Sequence, residues 1–152
     1  MNRQRRVNRS GGAERGKERA YDLEERLLRF ASAIIDVLEN LPKTRPGNHI
    51  AGQFLRSGTS PYANHGEAQS PESIDDFIHK LKVCLKELRE TRRWARLIDR
   101  KDWMSEDAQL SFVLAEVEEL IRIFKASTQT AERNRLGAAR ASAPVASKSQ
   151  AV

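Results

Sequence analysis

Four runs of apolar residues, each recurring at three- and four-residue steps and separated by helix-breaking turns, constrain this chain more than any other feature. In the first, Leu23, Leu27, Phe30, Ala31, Ile34, Leu38 and Leu41 repeat with Glu24, Glu25, Arg29, Asp36 and Glu39 between them, the pattern of an amphipathic helix. Asn40-Leu41-Pro42 ends it, because proline cannot continue a helix. The second run starts near Pro46, a favoured first-turn position, and reaches about Ala68. It carries Gly52, Gly58 and Pro61, and Pro61 is expected to kink it or to mark a break near Gly58. Ser70-Pro71-Glu72 reads as the start of a third helix, with Ser70 as its N-cap. Ile74, Phe77, Ile78, Leu81, Cys84, Leu85, Leu88, Ala95 and Ile98 carry it to about Arg100, roughly 45 Å at 1.5 Å per residue. Ser105 is expected to cap a fourth helix on Leu110, Val113, Leu114, Val117, Leu120, Ile121 and Phe124.

Four such helices with short connections pack as antiparallel neighbours, so the expected fold is an all-α, up-down four-helix bundle. The composition agrees, with 32% charged and only 6% aromatic residues, where a sandwich or barrel would want more Val, Thr and aromatics. No apolar stretch is long enough to span a bilayer, and no membrane partner is expected. The first 20 residues lack the apolar core of a secretory signal, so a cytoplasmic protein is expected. The single cysteine, Cys84, allows no internal disulfide and no cysteine zinc knuckle. It sits on the apolar face without a nearby cation to activate it and reads as a core residue.

The net charge of +6 sits mostly at the ends. Residues 1–20 hold Arg3, Arg5, Arg6, Arg9, Arg15, Lys17 and Arg19 against Glu14 and Glu18. Residues 127–152 hold Arg133, Arg135, Arg140 and Lys148 against Glu132. The middle, 21–126, is left at −2. Neither end has enough apolar surface to offset an ordering entropy of roughly 1–2 kcal/mol per residue. The domain organisation expected is therefore a disordered basic arm over 1–20, the bundle over 21–126, and a disordered Ala/Ser-rich basic tail over 127–152. Such arms can gather phosphates or merely solubilise.

Two sets of polar residues stand out. Arg56, Ser60, Asn64 and Glu67 share one face of the second helix, and Glu87, Glu90 and Trp94 share one face of the third. Arg56 and Asn64 are expected to meet Glu87 or Glu90 across the bundle as a structural polar layer, because a buried arginine must find a carboxylate. The rival reading is a catalytic pocket built on Glu67, Glu87 and Glu90 with a histidine, but no nucleophile–base pair accompanies it. On the third helix, Lys82, Lys86, Arg89, Arg93, Arg96 and Arg100 repeat at steps of four and three, a continuous basic stripe. It reads either as a solvated face or as a surface for nucleic-acid backbone, whose contacts would be salt-sensitive and blind to sequence. Trp94 and Trp103, near the end of this helix, read as core or interface residues before base-stacking platforms.

His49, His65 and His79 lack the spacing of a helical metal pair, and there is no Glu-x-x-His, no phosphate-binding glycine loop and no Gly-x-Ser-x-Gly elbow. No metal, cofactor or catalytic residue is expected. Leu28 and Ile35 on the first helix, and Phe112 and Ile123 on the fourth, lie outside the main apolar stripes. They call for a second surface to bury against, such as a subunit interface.

The sequence resembles the bacterial four-helix-bundle proteins named after the intervening sequences of 23S ribosomal RNA genes. The resemblance rests on Leu55-Arg56-Ser57-Gly58-Thr59-Ser60-Pro61 leading to Asn64 and Glu67-Ala68, then on Asp76-Phe77-Ile78-His79-Lys80-Leu81-Lys82, and then on Lys86-Glu87-Leu88-Arg89-Glu90-Thr91-Arg92-Arg93-Trp94. With the flanking helices it covers roughly residues 21–126 and neither tail. It implies a four-helix bundle that assembles as a ring-like homopentamer. A related branch, the accessory proteins of diversity-generating retroelements, implies binding of a reverse transcriptase and its nucleic acid. Those accessory proteins are basic through the folded part, whereas this one is not.

The leading expectation is a non-enzymatic, homo-oligomeric bundle that binds RNA or DNA backbone through Lys82, Lys86, Arg89, Arg93, Arg96 and Arg100, as a scaffold for a reverse transcriptase or an rRNA-associated factor. The alternative is a protein-interaction module without nucleic-acid binding, whose tails only solubilise it.

Overall fold

The structure, a computed structural model, describes the backbone of residues 11–142 and the side chains of residues 22–142. It consists of α1 (Gly11–Glu39), α2 (Arg45–Ala68), α3 (Ile74–Arg100) and α4 (Ala108–Ser142). Each helix packs on its neighbours in sequence and α4 closes on α1, while among the described residues the backbones of the diagonal pairs stay apart and meet only through core side chains such as His65 and Phe124. That ring of contacts is the expected up-down bundle. Phe30, Ile34, Val37, Phe54, Leu88, Ile98, Val113, Val117, Leu120 and Phe124 are fully buried along its axis.

Local chemistry sets where each helix starts. The Thr44 hydroxyl accepts from Gly47 N at 3.2 Å, with Pro46 in the first turn, and α2 begins there. A Cβ on Gly47 would fall 2.0 Å from the Pro42 carbonyl oxygen, so only glycine lets the chain fold back this tightly after α1. α3 begins three residues later than the sequence suggests. Its N-cap is Ser73, which accepts from Asp76 N at 3.0 Å, while Asp76 reaches back to Glu72 N at 3.1 Å. Ser73 thus meets one orphan donor of the first turn, Asp76 ties down the residue just before the cap, and Ser70-Pro71 is left in the connection. α4 likewise starts after Asp107, whose carboxylate accepts from Leu110 N at 2.8 Å, and not after Ser105. The connection between α3 and α4 turns on two left-handed residues, Asp102 and Glu106, both at φ 52°.

Pro61 does not interrupt α2, which is helical from Arg45 to Ala68. Gly58 serves a different purpose from a break: a Cβ there would lie 2.8 Å from Ile34 Cγ1 and Cγ2. It is a point of close approach between α1 and α2. The Cys84 thiol on α3 donates to the Pro61 carbonyl at 3.6 Å, and burial pushes its pKa up to about 12. Cys84 is thus a core residue, as its position on the apolar face suggested.

The expected tail boundary at 126 needs correction. α4 runs on to Ser142, because Thr128 and Ala131 extend its buried stripe and two ion pairs tie it to α3. Glu132 meets Lys82 at 2.7 Å and Arg135 meets Asp75 at 2.7 Å. At the other end, α1 already begins at Gly11, inside the segment expected to be a disordered arm. The remaining parts of the two expected arms, 1–10 and 143–152, lie outside the described residues.

Candidate nucleic-acid interface

The steps of four and three between Lys82 and Arg100 keep all six cations of the stripe on one side of α3, because seven residues make nearly two full turns. All six side chains are exposed. They are not electrostatically equivalent. Lys82 is spent on Glu132 of α4, and the pairing holds the Glu132 carboxyl below the usual carboxylate range. Lys80 is bonded to Glu67, and Asp75 to Arg135, so the N-terminal half of α3 is neutralised by its neighbours.

The C-terminal half is different. Lys86, Arg89, Arg93, Arg96 and Arg100 have no carboxylate partner among the described residues, and they span about 21 Å of helix. Two acids on this stretch, Glu87 and Glu90, are claimed from α2. Arg56 Nη1 donates to Glu87 Oε2 at 3.1 Å, and Arg56 Nη2 donates to Glu90 Oε1. The Arg56 pairing, helped by the Trp94 indole N–H at 3.2 Å, holds the Glu90 carboxyl below its ordinary range. Arg92 is held by Glu118 of α4 at 3.2 Å. The pairing pattern therefore leaves one edge strongly positive on a core that is nearly neutral in sum.

The expected polar layer is only partly assembled. Arg56 does meet Glu87 and Glu90, but its side chain is 53% exposed, so this is a clasp on the bundle surface over one buried carboxylate, Glu87. Asn64 does not cross to α3. Its amide donates to the Ser60 carbonyl and hydroxyl, both at 3.0 Å, one turn back on its own helix, where a short side chain finds its nearest acceptors. Glu67 stands apart with Lys80. Glu67 is engaged by Lys80, and Glu87 and Glu90 share Arg56, so the three do not form one pocket.

Trp94 is half-buried, its ring edge-on to His49 at 6.4 Å, and with Glu90, Arg93 and Leu97 it lines a depression of about 360 Å3 beside the basic stripe. His65 is the residue that sequence reasoning passed over. It is buried, its ring packed edge-on to Phe124 at 6.2 Å, and burial holds its pKa below the ordinary value. Its place seven residues after the closely packed Gly58 and four after the buried Pro61 puts it on the core face of α2, the signal that could have found it.

No curated protein matches this chain. Among solved structures, it is similar to the crystal structure of a protein with unknown function from the S23 ribosomal protein family of Bacteroides thetaiotaomicron VPI-5482. That likeness has 29% identity and a TM-score of 0.64, covering 72% of this chain and 97% of the other. A family model described as 23S rRNA-intervening sequence protein matches residues 20–126, the stretch on which the Arg56, Glu87 and Glu90 motifs and the whole basic stripe lie. The chain belongs to the 23S rRNA-intervening sequence protein family.

Proposed function

We propose that this protein is a non-enzymatic, cytoplasmic scaffold that holds the sugar–phosphate backbone of RNA or DNA along the C-terminal half of α3, as an accessory to a reverse transcriptase or an rRNA-associated factor. The observation that carries the reading is the row Lys86, Arg89, Arg93, Arg96 and Arg100, five exposed cations on one side of one helix without a carboxylate partner among the described residues, while Arg56, Lys82, Arg92 and Arg135 are paired across helix seams. A linear row of cations suits a linear array of phosphates and carries no base-reading geometry, so binding is insensitive to sequence. We further propose a homo-oligomer, five copies by the family resemblance, which would repeat the basic edge around the assembly. Lys82 drops out of the contact set because Glu132 holds it.

The test is binding of a structured RNA and of duplex DNA to the full chain across a salt series. Five phosphate contacts give a slope of log K against log salt of about −4.5 on duplex DNA. Replacing Arg89, Arg93 and Arg96 together by Glu is expected to abolish binding at moderate salt, while Lys82→Glu leaves it nearly intact. Binding that is indifferent to the triple reversal would overturn the reading.

A second reading has its own observation. Arg29, Ser32, Ala33 and Asp36 face α4, which places exposed Leu28 and Ile35 on the α2 flank of α1. Arg56 faces α3, which places exposed Leu55 on the α1 flank of α2. These three apolar side chains share the outer α1–α2 seam, a surface for protein contact that does not depend on the basic stripe.

A further inference from the structure

The row of cations reads backbone only, but the depression beside it has the parts to read a base. Arg93 belongs to both: it stands in the basic stripe and forms one wall of the depression with Glu90, Trp94 and Leu97. Trp94 offers a half-buried indole whose orientation is fixed from two sides, by its N–H to Glu90 Oε1 at 3.2 Å and by the His49 ring edge. Leu97, 38% exposed, extends the apolar wall. Glu90 supplies the polar component. Its Oε1 takes both Arg56 Nη2 and the Trp94 N–H, while its Oε2 has no partner among the described residues. The clasp by Arg56 keeps this carboxylate ionised and in place.

We infer that this depression holds one unpaired guanine of a nucleic-acid strand whose phosphates lie along Arg89, Arg93 and Arg96. The inference rests on the backbone-binding reading above and adds base selection to it. An indole beside a guanidinium is a stacking platform that any base can use, provided the base is not buried in a duplex. A free carboxylate oxygen then discriminates among the stacked bases, since it only accepts. Guanine presents N1–H and the 2-amino group side by side. Adenine and cytosine set a ring-nitrogen lone pair beside their amino group, which the carboxylate repels, and uracil and thymine flank their single N–H with carbonyl oxygens. The site thus favours single strands, loops and bulges over paired helices, and guanine among their bases.

The experiment uses the full chain and 12-nucleotide strands that are abasic throughout except for one central guanine or inosine, against a wholly abasic strand, with a duplex of ordinary sequence as a further arm. Stacking on Trp94 makes the guanine strand bind about five- to hundredfold tighter than the abasic strand. Inosine, lacking the 2-amino group, falls between them. In a Trp103→Phe background the remaining Trp94 emission is quenched by the guanine strand and not by the abasic one. Trp94→Leu removes the guanine advantage while leaving abasic-strand binding unchanged, and Glu90→Gln brings guanine and inosine together. If all strands bind alike with a steep salt slope, the base site is overturned and the backbone reading stands. If no strand binds, both fall. If Trp94→Leu changes the oligomeric state instead of base preference, Trp94 is a subunit contact and the base site is overturned.

Discussion

Arg56 on α2 lies over Glu87 on α3, its Nη1 donating to Glu87 Oε2 at 3.1 Å, and Glu87 has no other side-chain partner among the described residues. The two differ sharply in environment: the arginine side chain is half in solvent, and Glu87 is 7% exposed. The same guanidinium also takes Glu90, so one exposed cation neutralises two acids that would otherwise lie within the basic half of α3.

The first prediction follows from that asymmetry. Arg56→Leu is expected to cost about 1–3 kcal/mol, because a buried acceptor loses its partner. Replacing Glu87 by Gln in the Arg56→Leu background should return part of the loss, since a neutral amide is less costly to strand than a carboxylate. Chemical denaturation of the wild type and the two variants measures both. The Glu90 carboxyl gives an independent readout. Arg56 holds its pKa down, so its contribution to stability is present above the ordinary carboxylate range and is lost as pH falls through the lowered value. In Arg56→Leu the Glu90 resonance should titrate at higher pH than in the wild type. An unshifted titration would mean that the clasp is not formed in solution.

The contact of Gly58 with Ile34 gives the second. An alanine Cβ at 58 would press on Ile34 Cγ1 and Cγ2, which are fixed to the Ile34 Cβ and cannot swing away as a flexible chain end would. Gly58→Ala should therefore destabilise by about 1–3 kcal/mol through overpacking, even though alanine is the better helix former by roughly 1 kcal/mol. Ile34→Ala removes the obstacle, so adding Gly58→Ala to that background should be neutral or stabilising. Thermal melts of the four proteins close the cycle, and additive effects would place the two helices farther apart than the structure has them.

How much of this was legible in the sequence depends on which force decided each feature. Hydrophobic period is a property of one helix at a time, so the four helices and their ring order could be read directly. Caps were misplaced because Ser70 and Ser73 carry the same side chain, and only Asp76 reaching back to Glu72 N singles out Ser73. The end of α4 was misplaced because Thr128 and Ala131 are weak hydrophobes whose burial depends on α3 being beside them. Arg56 with Glu87 and Glu90 was legible, since a cation on one face and acids on the facing one have few other options. That Lys82 is neutralised was not, because Glu132 lies 50 residues away in a segment that looked like tail. Glu90, Arg93, Trp94 and Leu97 line the depression from one face of α3, which their spacing encodes, whereas the His49 ring of α2 against Trp94 is a contact between helices that spacing does not encode.

His65 supplies a prediction about pH. It is packed among Leu23, Phe77, Leu81 and Phe124, with Asp22, Glu24, Arg26 and Gln69 as the nearby polar groups. Burial lowers its pKa and the charge of Glu24 only partly opposes this. The unfolded chain, with an ordinary imidazole near 6.5, takes up a proton before the folded one does. Stability contributed by the neutral ring is therefore complete above that value and declines as pH falls below it. The melting temperature should drop between pH 7.5 and 5.5, and His65→Phe, which keeps the ring shape without the titration, should flatten the drop. Parallel curves for the two proteins would show that His65 is exposed to solvent.

The outer α1–α2 seam yields the last prediction. Leu28 and Ile35 sit one heptad apart on α1 at 44% and 45% exposure, and Leu55 on α2 is 43% exposed, so the three form an apolar strip rather than scattered residues. Phe112 and Ile123 on α4, named beside Leu28 and Ile35 as residues outside the main stripes, are half-buried, so α4 leaves less apolar surface for a partner. The strip is small for a stable interface taken alone, but a ring uses two surfaces per subunit, and closure adds the contacts of every copy. If the proposed oligomer forms through this seam, Ile35→Lys with Leu55→Glu should dissociate it in sedimentation velocity and leave the helical circular dichroism spectrum of the bundle unchanged, since neither side chain is in the core. Backbone binding should weaken with it, because separate bundles present one basic edge each where an assembled ring presents several at high effective concentration. Unchanged sedimentation would move the subunit contact off this seam. Unchanged affinity in a dissociated variant would show that one α3 edge is sufficient for binding.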